Sequence, residues 1–334
     1  MKAVYIKEFG GAENLEVREV ETPQKPIANQ VLVNVKTSAL NRADIMQRRG
    51  FYPAPKGFPE RIPGLEFAGE VAEIGENVKN FKPHDCVFGI TAGGAQAEFL
   101  LTEESLLAKI PDNLDFTQAA AIPEAFITAH DAIFTNGNLQ TNETLLIHAV
   151  GSGVGLAALQ LAKARNIKVF GTSRTVDKLK KSNIYGLDYG IYTETDLVKE
   201  NPKNLLEVIE INNGGKGVDV ILDLVGAAYF EVNLQSLNLK GRLILVGLTA
   251  GRKTEFDLGI ALSKRLKIIG TVLRSRPTDE KAEANQKFIA EVLPLLESGK
   301  IVPNIDRIFK MEEIQKAHEY LESNESFGKI VLEI

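Results

Sequence analysis

The sequence predicts an α/β protein in which a doubly wound parallel sheet, covered by helices on both faces, is joined to a second, mainly β domain. Three observations predict it. From about residue 126 onward, short apolar runs at 144–149, 168–172, 218–222 and 242–246 alternate with helical stretches. Regular strand–helix alternation makes βαβ units, whose parallel sheet is buried on both sides. Before that point the chain is rich in short β-like runs, such as 31–35 and 66–74, punctuated by Gly, Pro and Asn. Finally, 334 residues exceed what a single core usually serves, so two cores are expected.

In order along the chain, residues 1–124 are expected to form the β domain and residues 125–265 the parallel-sheet domain. Residues 266–334 form a segment that returns to the first domain. Within that last stretch, 266–272 reads as a final strand, 278–298 as an amphipathic helix and 328–334 as a strand completing the first domain.

Composition excludes several classes. With 44% hydrophobic and 25% charged residues the chain matches soluble globular proteins rather than disordered or fibrous ones. A net charge of -5 offers no broad cationic surface for a phosphate backbone, so nucleic acid is not an expected partner. The single cysteine, Cys86, permits no internal disulfide and no thiolate metal cage, and it reads as a small core filler. The N-terminus enters a strand-like alternation at once, and no apolar run reaches the ~20 residues that span a bilayer. A cytoplasmic location is the expectation.

The chemistry concentrates at one turn. Residues 145–150 form an apolar strand running into Gly151-Ser152-Gly153-Val154-Gly155, and 156–165 reads as a helix. Glycines let the backbone approach a pyrophosphate, and the helix start presents free amides and a positive dipole end to it. Leu156 stands where the G-x-G-x-x-G pattern has its third glycine, and such a turn can also be purely structural. The βαβ setting favours dinucleotide binding.

The next strand, 168–172, ends in Ser173 and Arg174, with Lys178 a turn later, where an NAD site usually has a carboxylate. Hydroxyl and cationic groups suit a dianionic 2′-phosphate, so NADPH is the expected cofactor; the alternative is that these are solvated helix residues.

The order of motifs resembles the medium-chain dehydrogenase/reductase superfamily, specifically its zinc-free quinone oxidoreductase, or zeta-crystallin-like, branch. The carrying segments are Asn41-Arg42-Ala43-Asp44, Gly50-Phe51-Tyr52-Pro53, Pro63-Gly64-Leu65-Glu66-Phe67-Ala68-Gly69-Glu70-Val71, the turn at 151–155 and Phe327-Gly328-Lys329-Ile330-Val331. The resemblance implies a GroES-like catalytic domain and a Rossmann domain, with the substrate in the cleft between them.

It further implies that Asn41 and Thr128 lie along the nicotinamide and that Tyr52 borders the substrate. Tyr192, one residue out of register, would lie near the 2′-phosphate, while Val246, Gly247 and Lys329 would take part in holding the cofactor. A homodimer paired through Rossmann sheet edges is implied as well, with 268–272 as the candidate edge.

Departures from the zinc-dependent branch of that superfamily shape the expected chemistry. Those relatives have a Cys near Ser38 and a Gly-His-Glu triplet; here the triplet is Gly64-Leu65-Glu66 and the early Cys is missing. No metal is expected, and Glu66 reads as a buried structural carboxylate paired with a neighbour such as Arg42. Without a Lewis acid the acceptor must itself be electrophilic, which a quinone is. Two alternatives remain open: an NADPH-dependent reductase of 2-alkenals or enoyl thioesters, and a non-enzymatic crystallin-like or RNA-binding role.

Overall fold

Valines at every second position from 31 to 35 help set the first sheet. The computed structural model describes residues 1–193 and 203–334. They divide into two units, residues 1–127 with 273–334, and residues 128–272. The first unit opens with the antiparallel pair β1 (Lys2–Ile6) and β2 (Leu15–Glu19), followed by β3 (Gln30–Leu40), β4 (Glu66–Ile74), β5 (Cys86–Ile90), β6 (Phe99–Glu103) and β7 (Leu107–Lys109). Val31, Val33 and Val35 of β3 point to one face and pack with Phe67, Val71 and Val87 in one core cluster. Cys86, expected inside, is exposed at the first position of β5, where the strand has not yet entered the core.

Helices α1 (Arg42–Arg48), α2 (Phe116–Ala120) and α3 (Pro123–His130) belong to this stretch, α3 leading into a π-helical segment, Asp131–Asn136. Asp44 reaches back to the Asn41 N–H (2.7 Å) and fixes the start of α1.

The second unit is a six-stranded sheet of β8 (Thr144–Ile147), β9 (Lys168–Ser173), β10 (Tyr189–Tyr192), β11 (Val218–Asp223), β12 (Leu237–Leu245) and β13 (Lys267–Gly270). All its pairings are parallel, in the order β10-β9-β8-β11-β12-β13. The order in which strands are added therefore reverses between β8 and β11, the switch point of a doubly wound Rossmann sheet. Phe170, Leu146, Ile221 and Leu243 stand in register across four strands and share one core cluster. The helices α4 (Gly153–Ala164) and α5 (Val176–Ser182) follow β8 and β9.

Two expectations need correction here. The strand at 266–272 pairs with β12, Ile268 beside Leu243, at the sheet edge that the resemblance implies for 268–272, so it does not open the return segment and the unit boundary falls at 272/273 rather than 265/266. The helix expected over 278–298 is two helices, Thr278–Glu291 and Leu293–Glu297, because Pro294 lacks the N–H a continuous helix needs.

The chain then adds β14 (Ile305–Lys310) and β15 (Lys329–Glu333) to the first unit, giving a seven-stranded sheet ordered β14-β15-β3-β4-β5-β7 with β6 also paired to β3. The terminal strand returns as the sequence predicts, antiparallel to β3, with Val331 opposite Ala39. Ile330 and Leu332 enter a core shared with Val4, Ile6 and Leu15.

Candidate active site

The glycine turn sits between β8 and α4. Ser152 caps the helix by accepting the Gly155 N–H (3.1 Å), which leaves the first-turn amides of Gly153 and Val154 pointing out of the helix start. The left-handed residue of the turn is Ala149 (φ 52°), not one of the glycines. A Cβ on Gly155 would lie 2.6 Å from the Ala149 carbonyl oxygen and 2.7 Å from that of Val150. Gly155 thus performs the close helix–strand packing that the G-x-G-x-x-G pattern assigns to the position of Leu156, and Leu156 is free to be buried.

Strand ends on either side of the switch point gather the other expected residues. Parallel pairing places Tyr192 directly beside Ser173 at the last rungs of β10 and β9. Ser173 is buried and accepts the Thr175 N–H (3.2 Å), Arg174 is exposed, and Lys178 lies on α5. Past the end of β12, the Val246 and Gly247 amides both donate to the Asp223 carbonyl, at 2.9 and 3.2 Å. A Cβ on Gly247 would meet the Leu224 carbonyl oxygen at 2.5 Å, so glycine is required for this approach.

Beneath these ends runs a neutral-side-chain bridge. Asn233 donates to Asp223 (3.0 Å) and presents its oxygen to His148 Nε2 (2.6 Å), while His148 Nδ1 meets the Thr172 hydroxyl (2.9 Å). Burial pushes the His148 pKa down, which favours the uncharged ring. Asp223 also takes the Val225 and Gly226 N–H groups, at 2.7 and 2.9 Å. The ends of β8, β9 and β11 are thereby tied together.

In the first unit, the motifs that carry the sequence resemblance converge on a buried charged cluster. Glu66 is fully buried; its Oε1 accepts from Lys329 Nζ (2.6 Å) and Asn41 Nδ2 (2.8 Å), and its Oε2 from the Glu124 main-chain N–H (2.8 Å). Lys329 spends its other donors on the Leu40 carbonyl (3.1 Å) and Asn41 Oδ1 (2.7 Å). Asp44 accepts the Gly64 N–H (2.9 Å) beside its bond to Asn41. Burial raises the Asp44 pKa to about 6, against the two amides and the charges of Arg274 and Lys329. Gly64 has φ 103°, and a Cβ there would lie 2.6 Å from the Gln96 nitrogen.

Tyr52 lies on the same unit, half-buried, with the Arg274 guanidinium 4.8 Å from its ring centroid. Arg274 is itself buried and donates to the Ala92 carbonyl (2.8 Å), the Tyr52 carbonyl (2.9 Å) and Gln47 Oε1 (2.5 Å). Burial raises the Tyr52 phenol pKa, opposed by Arg274 and assisted by Glu124.

Several sequence expectations change. The partner of Glu66 is Lys329 with Asn41, not Arg42, which bonds Asn324. Lys329, expected at the cofactor, gives its ammonium to Glu66, Asn41 and the Leu40 carbonyl within the first unit, because Glu66 would otherwise be a lone buried charge. Asn41 precedes the helix as its cap residue, and its side chain also bonds Glu66 and Lys329.

Thr128, on α3, has a buried hydroxyl oxygen that meets no hydrogen-bond partner among the described residues. Sequence reasoning missed Glu124 and Arg274. Pro123-Glu124 reads as an ordinary helix start, and only the arginine-rich Leu273-Arg274-Ser275-Arg276 after the last sheet strand could have drawn notice.

Among the described residues no group of three or more His, Cys, Asp or Glu is placed to hold a metal ion, and no helix is long and apolar enough to cross a membrane. The family description "Zinc-binding dehydrogenase" matches residues 186–332, and "Alcohol dehydrogenase GroES-like domain" matches residues 27–112.

A quinone oxidoreductase of Pseudomonas aeruginosa is 33% identical over 99% of both chains. The structure of Escherichia coli quinone oxidoreductase complexed with NADPH superposes with a TM-score of 0.85 at 29% identity, over 100% of both chains. The JamJ enoyl reductase superposes with a TM-score of 0.85 at 25% identity, over 99% of this chain and 98% of that one. The chain is therefore an oxidoreductase, and it belongs to the quinone oxidoreductase branch of the medium-chain dehydrogenase/reductase superfamily.

Proposed function

We propose that the protein is an NADPH-dependent reductase of quinones that works without a metal ion. The observation that carries the cofactor choice is the end of β9, where Ser173 stands beside Tyr192 and Arg174, rather than a carboxylate, is the next residue. A dianionic 2′-phosphate is attracted there, whereas an Asp would repel it. In this reading the amides of 151–155 take the pyrophosphate, Ser173, Arg174, Lys178 and Tyr192 take the 2′-phosphate, and the Thr128 hydroxyl meets the nicotinamide end. Val246 and Gly247 border the cofactor past β12. When bound, the cofactor supplies a hydride; the chain's part is to orient the acceptor, with Tyr52 at its rim, and to keep water out.

The metal-free reading rests on the donor set. Leu65 replaces the histidine of the zinc-dependent branch, and an ammonium group already sits 2.6 Å from Glu66. Activity that survives dialysis against a strong chelator is the expected result. The quinone assignment draws on the Pseudomonas and Escherichia relatives, while the enoyl reductase neighbour supports a second reading, reduction of 2-alkenals or enoyl thioesters. Side-by-side assays of purified protein with a small quinone and a 2-enoyl thioester decide between them: faster thioester turnover overturns the quinone assignment.

We place the protein in the cytoplasm, which cell fractionation tests. It acts as a homodimer: β13 ends its sheet with Ile268 39% exposed at the end of a core row, and Leu258 and Leu262 nearby are 72% and 79% exposed. Light scattering at micromolar concentration should give twice the chain mass.

A further inference from the structure

The three carboxyls of the first unit's charged cluster are not equivalent. Glu66 accepts three hydrogen bonds and Asp44 two. Glu124 gives its main-chain N–H to Glu66, but no donor among the described residues reaches its carboxyl. Its backbone position is thus fixed while its side chain is uncommitted. Helix α3 is otherwise buried; Glu124 and Thr128 are its two half-buried residues, one turn apart on one face.

We propose that Glu124 donates the proton that accompanies reduction of the acceptor, an inference that rests on the reading of the chain as a quinone or enone reductase. The acceptor gains an electron pair and a hydrogen as hydride from NADPH, which becomes NADP⁺. The acceptor oxygen or carbon left negative takes the proton of the Glu124 carboxyl: that O–H bond breaks, the new bond forms on the product, and Glu124 remains as carboxylate. Water reprotonates it.

The surroundings suit both states of this cycle. Burial foremost, then the Glu66 charge and, less, Asp44, hold the proton on Glu124 and push its pKa up to about 8; Lys329 and Arg274 pull the other way and stabilise the carboxylate left after transfer. Lys281, from the helix Thr278–Glu291, also faces Glu124 electrostatically. An acid near the working pH is the most effective donor. The Tyr52 phenol is pushed above 10 by burial and is the weaker acid at neutral pH.

The test uses Glu124→Gln and Glu124→Asp in the full-length protein, with NADPH, a small quinone and a 2-alkenal. Wild-type kcat should fall as pH rises through about 8. Glu124→Gln should lose on the order of 10²-fold in kcat and lose that alkaline limb, with the NADPH Kd unchanged. A second readout needs no cofactor. Because the folded pKa lies above the ordinary 4.5, the carboxyl's contribution to stability is present below pH 4.5 and is lost as pH rises to about 8. Urea unfolding should show this loss in wild type and not in Glu124→Gln.

A Gln variant with wild-type kcat and the same alkaline limb overturns the proposal, as does an equal loss of NADPH binding. If the Gln variant does not fold, the Asp variant decides: a displaced alkaline limb supports the assignment, an unmoved one overturns it. Should wild type reduce neither acceptor, the reductase reading fails instead.

Discussion

The two units bury polar groups in contrasting ways. In the second, the buried bridge runs through uncharged His148, Asn233 and Thr172 to one carboxyl, and main-chain amides at strand and helix ends face the expected ligand. In the first, Glu66, Lys329, Asp44 and Arg274 are all within the core, each held by bonds from distant parts of the chain. A neutral network with every member satisfied adds rigidity at modest cost. A buried ionic one stands only while each charge keeps its partner. The Rossmann unit should therefore tolerate loss of a side chain better than the sheet unit does.

The largest expected effect tests that contrast directly. Replacing Lys329 with Met strands Glu66 without a counter-charge and should cost roughly 3–5 kcal/mol of folding stability, read as a shift of the urea midpoint. A cost below about 1 kcal/mol would mean that the pair is screened by water.

Next comes Gly155→Ala in the second unit, whose Cβ would press on two carbonyl oxygens at 2.6 and 2.7 Å. Overpacking here should cost about 1–3 kcal/mol in stability and weaken NADPH in titration by displacing the turn. An unchanged Kd would show that α4 can shift without consequence.

Comparable in size but different in kind is Tyr52→Ala. Tyr52 belongs wholly to the first unit, so quinone kcat/KM should fall by on the order of 1–3 kcal/mol while NADPH binding is preserved. Tyr52→Phe separates the ring, stacked on Arg274, from the hydroxyl. Full activity of Tyr52→Ala with several quinones would reduce the residue to loop packing.

The smallest effect belongs to an exposed charge. Wild type should bind NADPH at least about tenfold more tightly than NADH, since a charge-assisted contact is worth ~1.5–3 kcal/mol. Lys178→Ala should narrow that ratio. Equal Kd values for both cofactors in wild type would remove the 2′-phosphate site.

What could be read from the sequence followed the range of the forces involved. The strands of the parallel sheet, the glycine turn and the hydroxyl–cation end of β9 depend on neighbours a few residues apart, and local periodicity and turn chemistry expose them. Even there, register was beyond reach: Tyr192 counts as one residue out of place along the chain, yet lies directly beside Ser173 once β10 pairs with β9. The position of the unit boundary depends on pairing in the same way. Residues 266–272 resemble a strand in isolation, and only pairing with β12 assigns them to the second unit.

The sequence by itself determined that the chain alternates strands and helices after residue 126, that one turn can cradle an anion, and that Gly64-Leu65-Glu66 lacks the histidine of a zinc site. Only the tertiary structure decided what Glu66 is for. Its partners are Asn41, Glu124 and Lys329, 25, 58 and 263 residues away, and no spacing rule connects such positions. The same holds for Arg274, joined to Gln47 across 227 residues. Buried charges are placed by the requirement that each be neutralised where water is excluded, and that requirement acts between groups that meet only when the whole sheet has closed.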